Sequence, residues 1–422
     1  MNFRIWLKWF KSLHITKKWF IVLILIRPIV DNFYELKETS SLASPLYIVG
    51  VLTPILILIS ATSNKLARIK QSVYDSPFKL FTYFLVGNCL IFYATQLSIS
   101  SIGDVIKYTT PALIFFYCRM FVQSKADLDG ILFACLLACI FPLGMMFYES
   151  IFNPIAVEYV SEGRGGGARI RGAYADIMNY AIYIEILFIT MSYYFLTYIY
   201  NKTKLKVTPF HIVVTLMIVF FGLTKIKQVS TWAVTLTVFV FLMVHNLKNV
   251  KGLIVVFFVC IIGGLFFAED IYNKQIAPLI DKEIKVVDNE NDKSQALNGR
   301  MSRWEKYFEI WEQMPVLNHF IGVPSSNFKE TDNMISAGMH SDYVRLLFLT
   351  GFIGVGAYTI YFILINTAYF QLLIPEKFLL ISTTASLLLW SVSTIPTLYA
   401  PWMYFMFPVV AYASLPKKMQ YS

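Results

Sequence analysis

His340 stands with Asp342 and Arg345 at the mouth of an apolar run, in "GMHSDYVRLLFLTGFIG" (338–354), a costly place to keep titratable groups. Several cations raise the same question. Arg169 and Arg171 lie with Arg164 in "IFNPIAVEYVSEGRGGGARIRGA" (151–173), Lys225 and Lys227 in "GLTKIKQVS" (222–230), and Arg300 and Arg303 in "RMSRWEKYFEIWEQMP" (300–315). Imidazole exchanges a proton near neutral pH, while guanidinium and ammonium groups hold anions. A histidine at a helix start is by itself a cap or a solvated residue. His340 gains meaning only from where the chain places the cations.

Composition constrains that placement. Of 422 residues 57% are hydrophobic and only 15% charged, with a mean hydropathy of +0.59, and apolar runs of spanning length recur from end to end. The alternating pattern of an outer-membrane barrel is missing, so the fold class expected is an all-α, polytopic membrane bundle forming one domain over 1–422. Roughly twelve runs meet the ~20-residue criterion. They centre near 19–35, 45–62, 78–97, 104–122, 129–149, 175–199, 208–223, 229–245, 252–268, 342–370, 377–395 and 399–415. Cys89, Cys118, Cys135, Cys139 and Cys260 all fall in or at the end of such runs, with no disulfide or metal-ligand spacing. The basic start, "MNFRIWLKWFKSLHITKK", leads into an apolar run broken by Arg27-Pro28 without a small-residue cleavage site, which reads as an uncleaved first span.

Charge then alternates along the connections. The amino terminus, 63–77, 119–128, 201–207, 246–251, Lys377 and the tail with Lys417 and Lys418 are basic. By the positive-inside rule these lie in the cytoplasm with both termini, and the net charge of +10 follows without a nucleic-acid partner. The cations of 151–173, of 222–230 and of the long segment 269–341 then fall on the outer face against the bias. Long loops translocate whatever their charge, which covers 269–341 and leaves the short Lys225/Lys227 turn unexplained. An anionic ligand at the outer face accounts for all three.

The large outer loop, 269–341, precedes the tenth span. Its 281–299 stretch is polar and charge-mixed, and short amphipathic helices follow. At about 100° per residue Arg300, Arg303, Trp304, Tyr307 and Trp311 share one helical face, suited either to the membrane interface or to sugar rings beside phosphates. Pro315 stops that helix, and His319 beside the following turn reads as structural. His340 is expected to begin the next helix, with Tyr343 on its side, while Asp342 is placed to pair with Arg345. Within the spans, Arg27 and Asp31 are spaced i,i+4 as an intramembrane pair, and Asp176, Asn179 and Glu185 read as helix-to-helix hydrogen-bonding groups.

Three stretches together resemble the O-antigen polymerase and O-antigen ligase superfamily. "HSDYVRLLFLTGFIG" (340–354) is similar to its histidine, short polar-then-apolar helix and Gly-x-x-Gly entering a span. "GRMSRWEKYFEIWEQMPVLNHFIGVPSSNF" (299–328) is similar to its Gly-Arg…Trp…Pro…Gly-Val-Gly…Phe stretch, and "RIRGAYADIMNYA" (169–181) to its Arg-x-x-Gly…Asn element. The chain departs from the family's pattern at Lys225-Ile226-Lys227, where Ser-Arg-Gly is common, and at Pro324, where a second glycine is common.

The resemblance implies glycosyl transfer from a polyprenyl-pyrophosphate-linked oligosaccharide at the outer face of a bacterial inner membrane, for O-antigen lipopolysaccharide, capsule or exopolysaccharide. Arg169, Arg171, Arg300 and Arg303, with Lys225 and Lys227, would hold the pyrophosphate. His340 would be the base, and Trp304, Tyr307, Trp311 and Tyr343 would meet sugar or the interface. No cofactor is expected, since the donor is already activated, and the absence of metal-ligand spacing in the sequence favours a metal-independent reaction. A chain-length regulator and a flippase of the same pathway are the expected protein partners. The rival within the superfamily is a ligase that passes finished glycan to a lipid or protein. The rival outside it is a secondary transporter or lipid-linked-sugar flippase, which would show two mirrored halves that are not evident here.

Overall fold

The computed structural model describes residues 2–36, 44–63, 66, 72–95, 97–152, 155, 157–159, 168–201, 207–246, 296–323 and 339–417, with isolated positions between 258 and 284. Outside the described residues lie nearly all of the expected ninth span (252–268) with Cys260, most of the polar 281–299 stretch, Arg164 and Pro324, and most basic side chains of the 63–77, 201–207 and 246–251 connections.

The chain is a helical bundle, as expected of sequence whose backbone groups must be paired internally in lipid. In order, the helices are α1 (Phe3–Ser12), α2 (Ile15–Asp31), α3 (Pro45–Ala61), α4 (Asp75–Thr95), α5 (Ile99–Phe121), α6 (Lys125–Ala138) and α7 (Ile140–Ile151). A two-stranded antiparallel ribbon follows, β1 (Val157–Tyr159) and β2 (Ala168–Ile170), pairing Glu158 with Arg169. Next come α8 (Met178–Asn201), α9 (Pro209–Ile226), α10 (Val229–His245), α11 (Ala296–Glu312), α12 (Val316–Ile321), α13 (Asp342–Thr367), α14 (Ile374–Ser393) and α15 (Ala400–Ala413). The ribbon is the one departure from an all-α chain among the described residues. Five helical stretches, 75–95, 125–151, 178–200, 209–226 and 342–371, are long and apolar enough to cross a membrane, and α3 and α10 are shorter apolar helices.

Two buried ion pairs, Arg119–Asp75 and Lys125–Glu376, lie at one end of the bundle. Arg119, at the end of α5, grips the Asp75 carboxylate at the start of α4 with two hydrogen bonds of 3.0 and 2.9 Å, and donates to Ala411 O of α15. Lys125 at the start of α6 pairs with Glu376 at the start of α14 and donates to Tyr193 Oη at 2.9 Å, which in turn donates to Asp129 at 2.7 Å. These buried charges compensate one another, as a low-dielectric interior demands.

The other end is irregular. Helix α13 breaks at Gly351, whose φ of 63° leaves the helical region. The break exists because the turn after α12 comes in backbone to backbone: a Cβ on Gly351 would lie 2.3 Å from Phe320 O, and one on Gly322 would lie 2.6 Å from the Leu349 carbonyl carbon. A break inside an apolar helix frees carbonyls that need donors. Val323 N–H supplies one to Phe348 O at 2.8 Å, and Asn88 Nδ2 of α4 donates to both Leu349 O and Ile321 O at 2.9 Å. The Gly-x-x-Gly expected to enter a regular span is therefore a seam that fastens α11 and α12 to α13.

Candidate functional site

At the end opposite the Arg119–Asp75 and Lys125–Glu376 pairs, segments far apart in sequence enclose a cavity of about 640 Å³. Arg27 and Asp31 come from the end of α2, Lys107 from α5 and Arg169 from β2. Asp176 and Asn179 come from the entry to α8, and Gln228 from the α9–α10 turn. Arg300 and Arg303 come from α11, His340 from the residues before α13, and Tyr399 from the entry to α15. Five fixed cations thus line the cavity with two carboxylates, Asp31 and Asp176, so its lining carries excess positive charge.

Several contributors are held from behind. The ribbon register presents Arg169 opposite Glu158. Asp176 caps α8, its Oδ1 accepting from Met178 N–H at 2.7 Å, while Tyr399 Oη donates to Oδ2. Tyr174 donates to Pro28 O at 3.0 Å and ties the ribbon's exit to α2; burial, with Asp31 and Glu149 nearby, holds its phenol above the usual range, so it remains a neutral donor. Arg27 and Asp31 form the i,i+4 ion pair that their spacing predicts, at 2.7 Å, but as part of the cavity lining.

His340 does not begin the helix. It lies two residues ahead of α13 with φ 45°, a left-handed conformation uncommon outside glycine. The segment is pinned on both sides of it. Trp304 Nε1 donates to Met339 O at 3.1 Å, and Ser341 Oγ donates to Ser391 O at 3.0 Å. Behind them Asp342 is buried against Arg345, which donates through Nε and Nη2 at 3.1 and 2.6 Å. Thr397 donates to the same carboxylate through N–H at 3.0 Å and through Oγ1 at 2.7 Å. The pair that the spacing predicts therefore buckles the His340 segment to the 391–397 stretch. Strained backbone over-determined by its surroundings is common where a side chain must be aimed.

The cavity takes in His340, Arg169, Arg300 and Arg303 of the expected site residues. Arg171 lies outside its lining, its Nη1 donating to Ala175 O at 3.2 Å. Lys225 lies over the Phe221 ring, 5.4 Å from its centroid, and Lys227 caps α9 in a left-handed conformation; Gln228, Val229 and Ser230 take the lining positions instead. Tyr307 and Trp311 are 0% and 4% exposed and pack on Phe348, so they dock α11 on α13 and are too enclosed to stack on a sugar. Trp304 positions the segment before His340, and Tyr343 Oη donates to Leu388 O of α14 at 2.9 Å. His319 binds Trp311 O at 2.6 Å, consistent with a structural residue.

Sequence reasoning gave Arg27, Asp31, Asp176 and Asn179 a pairing role between helices rather than a place among the site residues, and it did not single out Lys107, Gln228 or Tyr399. The signal for Arg27, Asp31 and Asp176 was present, since charged residues within apolar runs usually face protein or water. Compared with protein-family models, curated proteins and solved structures, the chain matches none.

Proposed function

We propose that this chain is a membrane glycosyltransferase that polymerises polyprenyl-pyrophosphate-linked oligosaccharide repeat units at the outer face of a bacterial inner membrane. The observation that carries this reading is the gathering of Arg169, Arg300, Arg303 and His340, from three separate segments, on one polar cavity of a size suited to a ligand. The resemblance to the polymerase and ligase superfamily adds three motif stretches in the expected order. The full set of roughly twelve spans, with both termini in the cytoplasm and the cavity at the outer face, belongs to the same proposal.

In this reading the acceptor unit's terminal hydroxyl oxygen attacks the anomeric carbon of the donor sugar. The bond from that carbon to the pyrophosphate oxygen breaks, and polyprenyl pyrophosphate leaves with the electron pair. His340 takes the hydroxyl proton. Arg169, Arg300 and Arg303 donate to the diphosphate as its negative charge grows, in a cavity where fixed guanidinium groups need no reorganisation. Asp31, Asp176, Asn179 and Gln228 supply acceptors and donors of the kind that orient sugar hydroxyls.

A deletion strain tests the reading against the ligase alternative. Glycans capped at a single repeat are expected. Full-length chains left unattached to their final acceptor would assign the chain to ligation instead.

A further inference from the structure

Helix α1 carries Arg4, Lys8 and Lys11, all exposed and within about 60° of one another on the helical wheel. Trp6, Trp9, Phe10 and Leu13 occupy the opposite arc. No acidic residue occurs before Asp31, so the ridge has no counter-charge within its own segment.

The apolar arc is used up on the protein. Trp6 is 5% exposed, stacks on Phe10, lies 5.9 Å from Phe133 by ring centroids, and donates from Nε1 to Gly130 O of α6 at 2.9 Å. The missing side chain of Gly130 makes this docking possible: a Cβ there would lie 2.5 Å from the Trp9 ring. The cationic ridge therefore points away from the bundle.

Its depth identifies its neighbour. Gly130 and Phe133 lie five and eight residues beyond Lys125, the start of α6, or ~8–12 Å along the helix axis. Helix α1 thus lies alongside the bundle rather than beyond its end. Phe3 and Ile5 flank the ridge at 55% and 43% exposure. Cations interleaved with exposed apolar side chains suit the boundary of headgroups and acyl chains, and a face turned to bulk water has no use for them.

We infer that the Arg4–Lys8–Lys11 ridge of α1 is a binding surface for anionic phospholipid headgroups, held at the right level by Trp6 and Gly130. The inference does not depend on glycosyl transfer.

The test titrates the purified full-length protein, in mixed micelles, with phosphatidylglycerol or phosphatidylcholine and follows thermal denaturation. Wild type should be stabilised by phosphatidylglycerol at lower mole fraction, and the advantage should shrink as salt is raised. Each cation near an anionic surface is worth about fivefold in affinity, so Arg4→Gln/Lys8→Gln/Lys11→Gln should weaken the response by about a hundredfold. Lys8→Arg/Lys11→Arg should retain it. An equal response to both lipids, or an undiminished response in the triple variant, would overturn the inference. So would equal stabilisation by soluble inorganic pyrophosphate at matched charge that is lost in the triple variant, which would mark the ridge as a general anion or acidic-partner face.

Discussion

Replacing Asp342 by Asn tests how the His340 segment is held. The Asp342 and Arg345 side chains are 1% and 4% exposed, and the carboxylate takes two bonds from the guanidinium and two from Thr397. Asp342→Asn preserves shape but leaves Arg345 as a buried, uncompensated cation, and breaking a buried pair in this way costs about 3–5 kcal/mol. Arg345→Met should cost a similar amount by stranding the carboxylate. Replacing both removes the charges together, and apolar or neutral substitutes for a buried pair are often close to neutral. The double variant should therefore be no less stable than the worse single variant, which puts the coupling at about 3 kcal/mol or more. Unfolding free energies of the four proteins in detergent micelles, from denaturant titration, give the cycle directly. Strictly additive losses would refute the reasoning, because they would mean that Asp342 and Arg345 act independently.

Other expectations follow from the same geometry. His340→Ala, Arg169→Ala and Arg300→Ala should abolish polymer while membrane insertion, read by fractionation and protease mapping, stays normal; Lys at either arginine should rescue at most partly, since it restores charge without the forked donor. Wild-type polymer from His340→Ala would remove the base assignment. Tyr307→Ala and Trp311→Ala should act on stability, by about 3–5 kcal/mol as for other buried aromatic truncations, and lower the melting temperature rather than weaken donor affinity alone. Gly351→Ala should separate α12 from α13, losing product and raising hydrogen exchange at Val323 and Leu349, because the added Cβ meets Phe320 O at 2.3 Å.

The helices were legible because length and hydropathy report on span-forming sequence directly. Helix α3, for instance, falls on 45–61 against an expected 45–62. The pairs Arg27–Asp31 and Asp342–Arg345 were legible for the same local reason, being one helical turn apart. The break at Gly351 was not, since it depends on Gly322, a partner distant in sequence whose approach no local periodicity encodes. A helical wheel told that Arg300, Arg303, Trp304, Tyr307 and Trp311 share a face, but not that α13 would cover Tyr307 and Trp311 while the cavity reached the arginines. Charge bias singled out Lys225 and Lys227, yet the turn's conformation gives the lining positions to the residues just after them. The left-handed backbone at His340 likewise comes from anchors at Met339 and Ser341 that lie on other elements.

Purified protein incubated with a defined polyprenyl-pyrophosphate-linked oligosaccharide provides the most direct measurement. The proposal predicts a ladder of lengthening glycans with one polyprenyl pyrophosphate released for each bond formed, and no ladder from Arg300→Ala. Movement of the intact lipid-linked sugar across a vesicle membrane, with no bond made and no pyrophosphate lipid released, would contradict it.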